Sequence, residues 1–267
     1  MTTIRVHGHF GEFLQGRLGS GGPVALVTLP CPSLWVDAQR AVHHDPHGLL
    51  PPIRARKLLE QLVLSDPGPV LLAPTMPRGG GAGASTAALV AYARLAGSAH
   101  DSLTLARACV AAEGASDPLM FSEPEHILWA SRQAEVVDTL PPVPAFEVIG
   151  GFYGPNSRTD PTDGNFPDIS DLVEPWRQAA LARDRGAVAE LASESANRCL
   201  LLRGRVEEPI ARIAQQLGAL GHVIAHTGSA RGLLFAPGTI PSGAVAILTR
   251  AGFRRVTVFR TGRSSVA

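Results

Sequence analysis

Near the start of the chain the apolar positions fall in short β-branched runs, IRV at 4–6, VALVTL at 24–29 and LWVDA at 34–38. Runs of this length bounded by glycine, proline and serine predict strands. The QGRLGSGGP segment at 15–23 predicts a tight turn between the first two. The opening therefore reads as an antiparallel meander. Apolar residues then recur at helical spacing over about 53–64, 85–96 and 102–112. The second of these helices has Ser85 and Thr86 as candidate caps and stops at Gly97. VLLA at 70–73 predicts a strand just before a glycine cluster. Residues 122–140 fit two patterns. Ser122 and Glu125 match a capping box, whereas ILWA at 127–130 and EVVDTL at 135–140 pair as a hairpin, which is the reading adopted.

The second half predicts helices near 170–183, 186–202 and 206–220, then strands at 222–226, 233–236 and 255–260, with AVAILTR at 244–250 fitting either state. Strands and helices mix without regular βα alternation, which favours an α+β class over a doubly wound sheet. GGFYGPNSRTDPTDGNFPD at 150–168 is the richest turn-forming stretch in the chain. It marks either a domain boundary or a long functional loop. We place the division just before it, giving expected domains 1–145 and 146–267.

Composition narrows the function classes. The 267 residues are 45% hydrophobic and 18% charged, with a formal net charge of +1. That balance gives no general attraction to nucleic acid or to an acidic membrane surface, so a small-molecule ligand is expected. No apolar run reaches the roughly 20 residues a bilayer span needs, and the first residues carry no apolar signal region. The expectation is a cytoplasmic protein without a membrane partner; nothing in the chain speaks to its oligomeric state. Cys31, Cys109 and Cys199 are odd in number and lack ligand spacing, so they read as reduced core thiols. Of the 24 basic residues only Lys57 is a lysine, and it sits in an amphipathic helical pattern where, with Arg54, Arg56 and Glu60, it reads as the solvated face of a surface helix. The HHDPHG segment at 43–48 reads as a solvated loop rather than a metal site.

The chemistry concentrates in PTMPRGGGAGASTAALVAYARLAG at 74–97, where Gly79, Gly80, Gly81 and Gly83 precede an alanine-rich helix. Clustered glycine marks backbone that must approach something closely or adopt positive φ. A P-loop requires a lysine before its Ser/Thr, and none lies near. A dinucleotide fingerprint can be drawn through Gly79, Gly81 and Ala84, but the strand that should follow the helix is missing, because Gly97 to Asp101 holds no β-rich segment and a second helix comes next. A third pattern, P-x-x-x-G-x-G-x-S-x-A, is met by Pro77, Gly81, Gly83, Ser85 and Ala87. It resembles the second motif of the GHMP kinases, the galactokinase, homoserine, mevalonate and phosphomevalonate kinase superfamily. Such a loop holds phosphate on backbone N–H groups and on the positive end of a helix, about half an elementary charge, without a lysine. Ala82, Ala84 and Thr86 depart from the leucine, serine and small residue usual there, and none of the three adds bulk that would block phosphate.

Two further segments strengthen the resemblance. FGEFLQG at 10–16 looks like the first motif of one branch, the L-threonine kinases of cobalamin coenzyme synthesis and propanediol utilisation, and AHTGSARGLLF at 225–235 is similar to that branch's third motif. The resemblance implies a two-domain α+β fold, with an N-terminal domain like ribosomal protein S5 domain 2 and a ferredoxin-like C-terminal domain. It also implies transfer of the γ-phosphate of MgATP to L-threonine. Residues 77–86 (Pro77, Gly79, Gly80, Gly81, Ala82, Gly83, Ala84, Ser85 and Thr86) would hold ATP, and Ser85 with Glu113 would hold Mg2+. Asp117 is the candidate base or acceptor-orienting group. Glu12 and Gln15 are candidates for binding the amino-acid acceptor, and His226, Thr227, Gly228 and Ser229 for the far side of the site; Asn197 and Arg198 are weaker candidates on a helix facing the cleft. Two alternatives stay open, a kinase of the same fold for another small alcohol and a non-catalytic ATP-binding protein; a dinucleotide-dependent oxidoreductase would instead bind its cofactor without magnesium.

Overall fold

The computed structural model describes residues 2–43, 48–203 and 208–262. Most of the histidine-bearing segment at 43–48, and the expected helix start at 206–207, lie outside the described residues. β1 (Thr3–Arg17) and β2 (Val24–Arg40) form one long antiparallel hairpin. The third strand expected at 34–38 is the second half of β2. Between His7, paired with Trp35, and Gly8, paired with Cys31, the register shifts, and residues 32–34 fall inside that irregularity. Proline is tolerated there because no ladder N–H is required.

The remaining strands are β3 (Val70–Pro74), β4 (Ile127–Ala130), β5 (Glu135–Thr139), β6 (Glu147–Phe152), β7 (Gly221–Ile224), β8 (Ala230–Phe235) and β9 (Arg254–Arg260). They build one antiparallel sheet in the order β5-β4-β2-β1-β7-β8-β6-β9, with β3 pairing β2. A single register pair, Glu12 with Ile224, joins β1 to β7 and so links strands from the two halves of the chain. The β4–β5 hairpin takes the place where helix and hairpin competed in the sequence. β6 was not expected, because Gly150 and Gly151 read as loop residues. In the sheet a Cβ on Gly150 would stand 2.3 Å from Phe10 Cε1, so the glycine there admits an aromatic ring rather than a turn.

The helices are α1 (Pro52–Leu62), α2 (Ala84–Leu95), α3 (Ser102–Glu113), α4 (Ser170–Leu181), α5 (Arg185–Arg203), α6 (Ile210–Leu217) and α7 (Ala244–Arg250). AVAILTR is helical because Ala244 and Leu248, four apart, turn one face into the core. α2 packs on β1 and β2, and α5 on β1 and β7. Every residue from Gly8 to Gly16 is buried, so this part of β1 is covered on both faces and loses the polar alternation of a half-solvated strand. The alanines of α2 have the same cause: nearly the whole helix is buried, and small side chains let it lie close to the sheet.

Candidate active site

The glycine segment leaves β3 and enters α2 with Gly79, Gly81 and Gly83 at φ of +67°, +73° and +75°. The cap of α2 is Gly83, with no side-chain cap, which corrects the expectation that Ser85 or Thr86 serves as one. Both hydroxyls lie within the helix and are drawn to acids instead. The loop is clamped from behind. Ser229 and Ala230 donate their backbone N–H groups to the Gly80 carbonyl at 2.9 and 2.8 Å, Ser157 donates to Gly79 O at 2.8 Å, and His9 to Ala82 O at 3.2 Å. Among the described residues no backbone carbonyl accepts the N–H of Gly81 or Gly83. The first bond of α2 is Ala87 N–H to Gly83 O, so its leading N–H groups have no partner within the helix. These donors border a cleft that is also lined by Arg54, Glu113, Asp117, Arg158 and His226.

Two carboxylates meet the start of α2. α3 ends at Gly114 in the left-handed conformation, leaving Glu113 on its last turn. Ser85 donates its hydroxyl to Glu113 Oε2, and Arg54 Nη1 donates to the same oxygen at 3.0 Å. The loop carrying Asp117 is pinned by Ser116 N–H to Ser131 O (2.9 Å) and by the Trp129 indole N–H to Ser116 O (2.7 Å). The Thr86 hydroxyl accepts the Asp117 N–H at 3.2 Å and stands 3.4 Å from both Glu113 Oε1 and Asp117 Oδ2. Burial raises Glu113 to about 7, with Ser85 and Arg54 opposing the shift.

His9, which the sequence reading did not single out, is the centre of a third cluster. In a regular strand residues i and i+3 face opposite sides. The register shift between His9 and Glu12, with Gly11 at φ +86°, brings both side chains to the cleft. His9 Nδ1 lies 3.3 Å from Glu12 Oε1, and Nε2 lies 3.5 Å from Asp117 Oδ2. Burial works against protonation of His9, but the two carboxylates outweigh it and push the ring to about 9. Burial likewise favours neutral Asp117, yet the His9 charge and contact hold it below the usual carboxylate range. Burial pushes the Glu12 carboxyl upward, and the His9 charge beside it opposes the shift. One ligand atom from each of the three residues falls within 4.8 Å of the others. Because the acids face opposite edges of one ring, the geometry is that of a carboxylate–imidazolium–carboxylate bridge rather than a chelate.

The other predicted residues are divided. Thr227 borders the cleft and shares a 2.7 Å hydroxyl–hydroxyl contact with Thr159. His226 also borders it, stacked on Phe166 at 4.0 Å and lowered to about 3 by burial. Gly228 and Ser229 lie behind the glycine loop as its clamp, and Ser229 Oγ donates to Asn156 Oδ1 at 2.9 Å. Gln15 is turned away, its amide donating to Ile224 O at 2.9 Å. Asn197 pairs with His222 at 3.0 Å, and Arg198 with Asp171 and Glu194, all outside the cleft lining. Lys57 is exposed on α1. Arg54, first read as part of that helix's solvated face, instead reaches Glu113; its place one turn before the buried Leu58 was the available signal.

No protein-family model matches the sequence, and no curated protein matches it. Solved structures do match in fold. The L. major mevalonate kinase in complex with R-mevalonate aligns with a TM-score of 0.64 at 15% identity, covering 100% of this chain and 97% of that one. The Streptococcus pneumoniae phosphomevalonate kinase aligns at 0.62 and 12%, covering 97% and 98%. The Methanococcus jannaschii mevalonate kinase aligns at 0.61 and 9%, covering 97% of each. No helix among the described residues is long and apolar enough to cross a membrane.

Proposed function

We propose that this chain, which has the fold of the GHMP kinases, transfers the γ-phosphate of ATP to the hydroxyl of a small molecule, with L-threonine as acceptor. The observation that carries the reading is the meeting of Ser85 with Glu113 and of Thr86 with Asp117 at the uncapped start of α2. An anion-binding helix end faces two acids of different protonation behaviour, with no lysine in the cleft. Glu113 and Ser85 offer the hard oxygen donors that Mg2+ prefers alongside phosphate. They are the residues that would hold the ion, which when bound neutralises phosphate charge.

The residues of the chain supply the rest. N–H groups of the glycine loop and of the first turn of α2 receive the phosphates. The acceptor oxygen forms its bond to the γ-phosphorus as the bond from that phosphorus to the ADP oxygen breaks, and the hydroxyl proton passes to an Asp117 carboxylate oxygen. Asp117 is a weak base because its pKa is held low. That suits a loose transition state in which positioning matters more than early proton removal. The His9 imidazolium keeps Asp117 anionic. The choice of L-threonine, and with it a product serving cobalamin coenzyme synthesis, rests on the FGEFLQG segment.

The test is magnesium-dependent ADP release across L-threonine, L-serine, L-homoserine, mevalonate and galactose. Stimulation by L-threonine is expected. Stimulation by another acceptor retains the kinase and replaces the substrate, whereas ATP binding without any stimulated turnover leaves a nucleotide-binding protein.

A further inference from the structure

Glu12 is 0% exposed and neither carboxylate oxygen accepts a well-formed hydrogen bond. Burying a carboxylate is costly unless it is paired, and such an unsatisfied group calls for an explanation. Its charged partner is His9 Nδ1 at 3.3 Å, and the opposite ring nitrogen faces Asp117 at 3.5 Å. Glu12 borders the cleft wall, yet none of its surface is open to a ligand. A direct contact with the acceptor would need such an opening. We infer that Glu12 is a positioning residue that acts through His9, holding the imidazolium that in turn keeps Asp117 anionic and turned toward the substrate. The catalytic half of this inference rests on the kinase reading above; the electrostatic half does not.

The groups facing His9 define the device. Glu12, on its own strand, and Asp117, on the loop after α3, stand on its two nitrogens. β2 presents Thr28 opposite Glu12. The glycine loop presents Gly83 against the ring. α2 offers Thr86 and no charge near Asp117, and His226, kept neutral by burial, follows β7. Two anions therefore bear on one imidazole. Removing the Glu12 carboxylate withdraws one of the two acids that face the ring, so the imidazolium is lost at lower pH.

The first experiment is an NMR titration of the histidines in wild type and Glu12→Gln without substrate, the His9 signal assigned by its loss in His9→Asn. His9 is expected to titrate well above the ordinary 6.5 in wild type and to fall by about one unit or more in Glu12→Gln, a tenfold change in the protonation equilibrium. The second is the pH profile of kcat and of KM for the stimulating acceptor. Glu12→Gln is expected to lower kcat by about 10-fold or more, to leave KM within about 2-fold, and to move the alkaline limb of kcat downward; Glu12→Asp should restore part of both. Should Glu12→Gln fail to fold, His9→Gln must show the same division between kcat and KM. An unshifted His9 titration overturns the inference. So does a raised KM with kcat and the alkaline limb unchanged. If wild type phosphorylates no acceptor, the kinase reading fails and the NMR result alone decides the electrostatic half.

Discussion

Replacing Gly81 with alanine probes the clamp between the glycine loop and the turn that follows β7. A Cβ at Gly81 would stand 2.0 Å from the Thr227 carbonyl oxygen and 2.3 Å from Ala225 Cβ, on a backbone with φ +73°. Neither neighbour is a flexible side-chain end. Thr227 also cannot retreat freely, because the same turn bonds to Gly80 O through Ser229 and Ala230. The left-handed conformation costs an alanine about 1–2 kcal/mol, and forcing extra volume into a packed contact costs about 1–3 kcal/mol. Together the two terms give about 2–5 kcal/mol, which for a chain of this size lowers Tm by roughly 2–4 °C per kcal/mol. Gly97→Ala is the control: its φ is +94°, but nothing lies within 4 Å of the added Cβ, leaving only the backbone term of about 1–2 kcal/mol. Thermal unfolding by circular dichroism and calorimetric titration with MgATP read the two variants side by side. Gly81→Ala should unfold several degrees below Gly97→Ala and lose ATP affinity while the control keeps it. Equal Tm losses with equal ATP affinity would refute the clamp.

Other consequences are open to measurement. Asp117→Asn should reduce acceptor-dependent phosphoryl transfer by about 10²–10⁴-fold while calorimetry shows ATP still bound; retained turnover would remove Asp117 from the chemistry. Ser85→Ala should raise the Mg2+ concentration for half-maximal activity by roughly 10-fold, read from a magnesium titration at fixed ATP. His222 is buried and lowered to about 4. Its neutral form therefore contributes stability that is fully present above the unfolded value near 6.5 and is lost as pH falls toward 4. Denaturant unfolding should show His222→Gln losing less stability than wild type over that interval, by an amount on the order of 2–3 kcal/mol, and parallel pH dependences would refute the sign.

Local chemistry made much of this protein readable along the chain. Ile210, Ile213, Ala214 and Leu217 recur at helical spacing and form the buried face of α6, and Asp101 caps α3 through the Thr104 N–H at 2.9 Å. The glycine loop was readable for a similar reason, since only a narrow set of backbone tasks calls for four glycines beside a helix start. Glu113 and Asp117 could be named because the helix reads as ending at Gly114, which leaves both acids at the bend where the resemblance to the GHMP kinases implies them. β6 was missed because glycine signals a turn locally, whereas Gly150 answers to Phe10, which is 140 positions away in sequence and adjacent in space.

By itself, then, the sequence determined the mixed α+β class, most of the helices and strands, and the glycine-loop pattern beside a helix start. These depend on periodicity, turn chemistry and residues within a few positions of one another. Only the tertiary structure decided that Ser85 and Thr86 face acids rather than cap a helix, that Gln15 turns away from the cleft, and that Arg54 joins it. It alone brought His9 between Glu12 and Asp117. The strand irregularity at Gly11 turns His9 and Glu12 to one side, and Asp117 arrives from 105 residues further on, carried by a loop pinned to the far end of the sheet. Electrostatics acts across space regardless of chain separation, so a charge cluster of this kind exists only once the fold has closed.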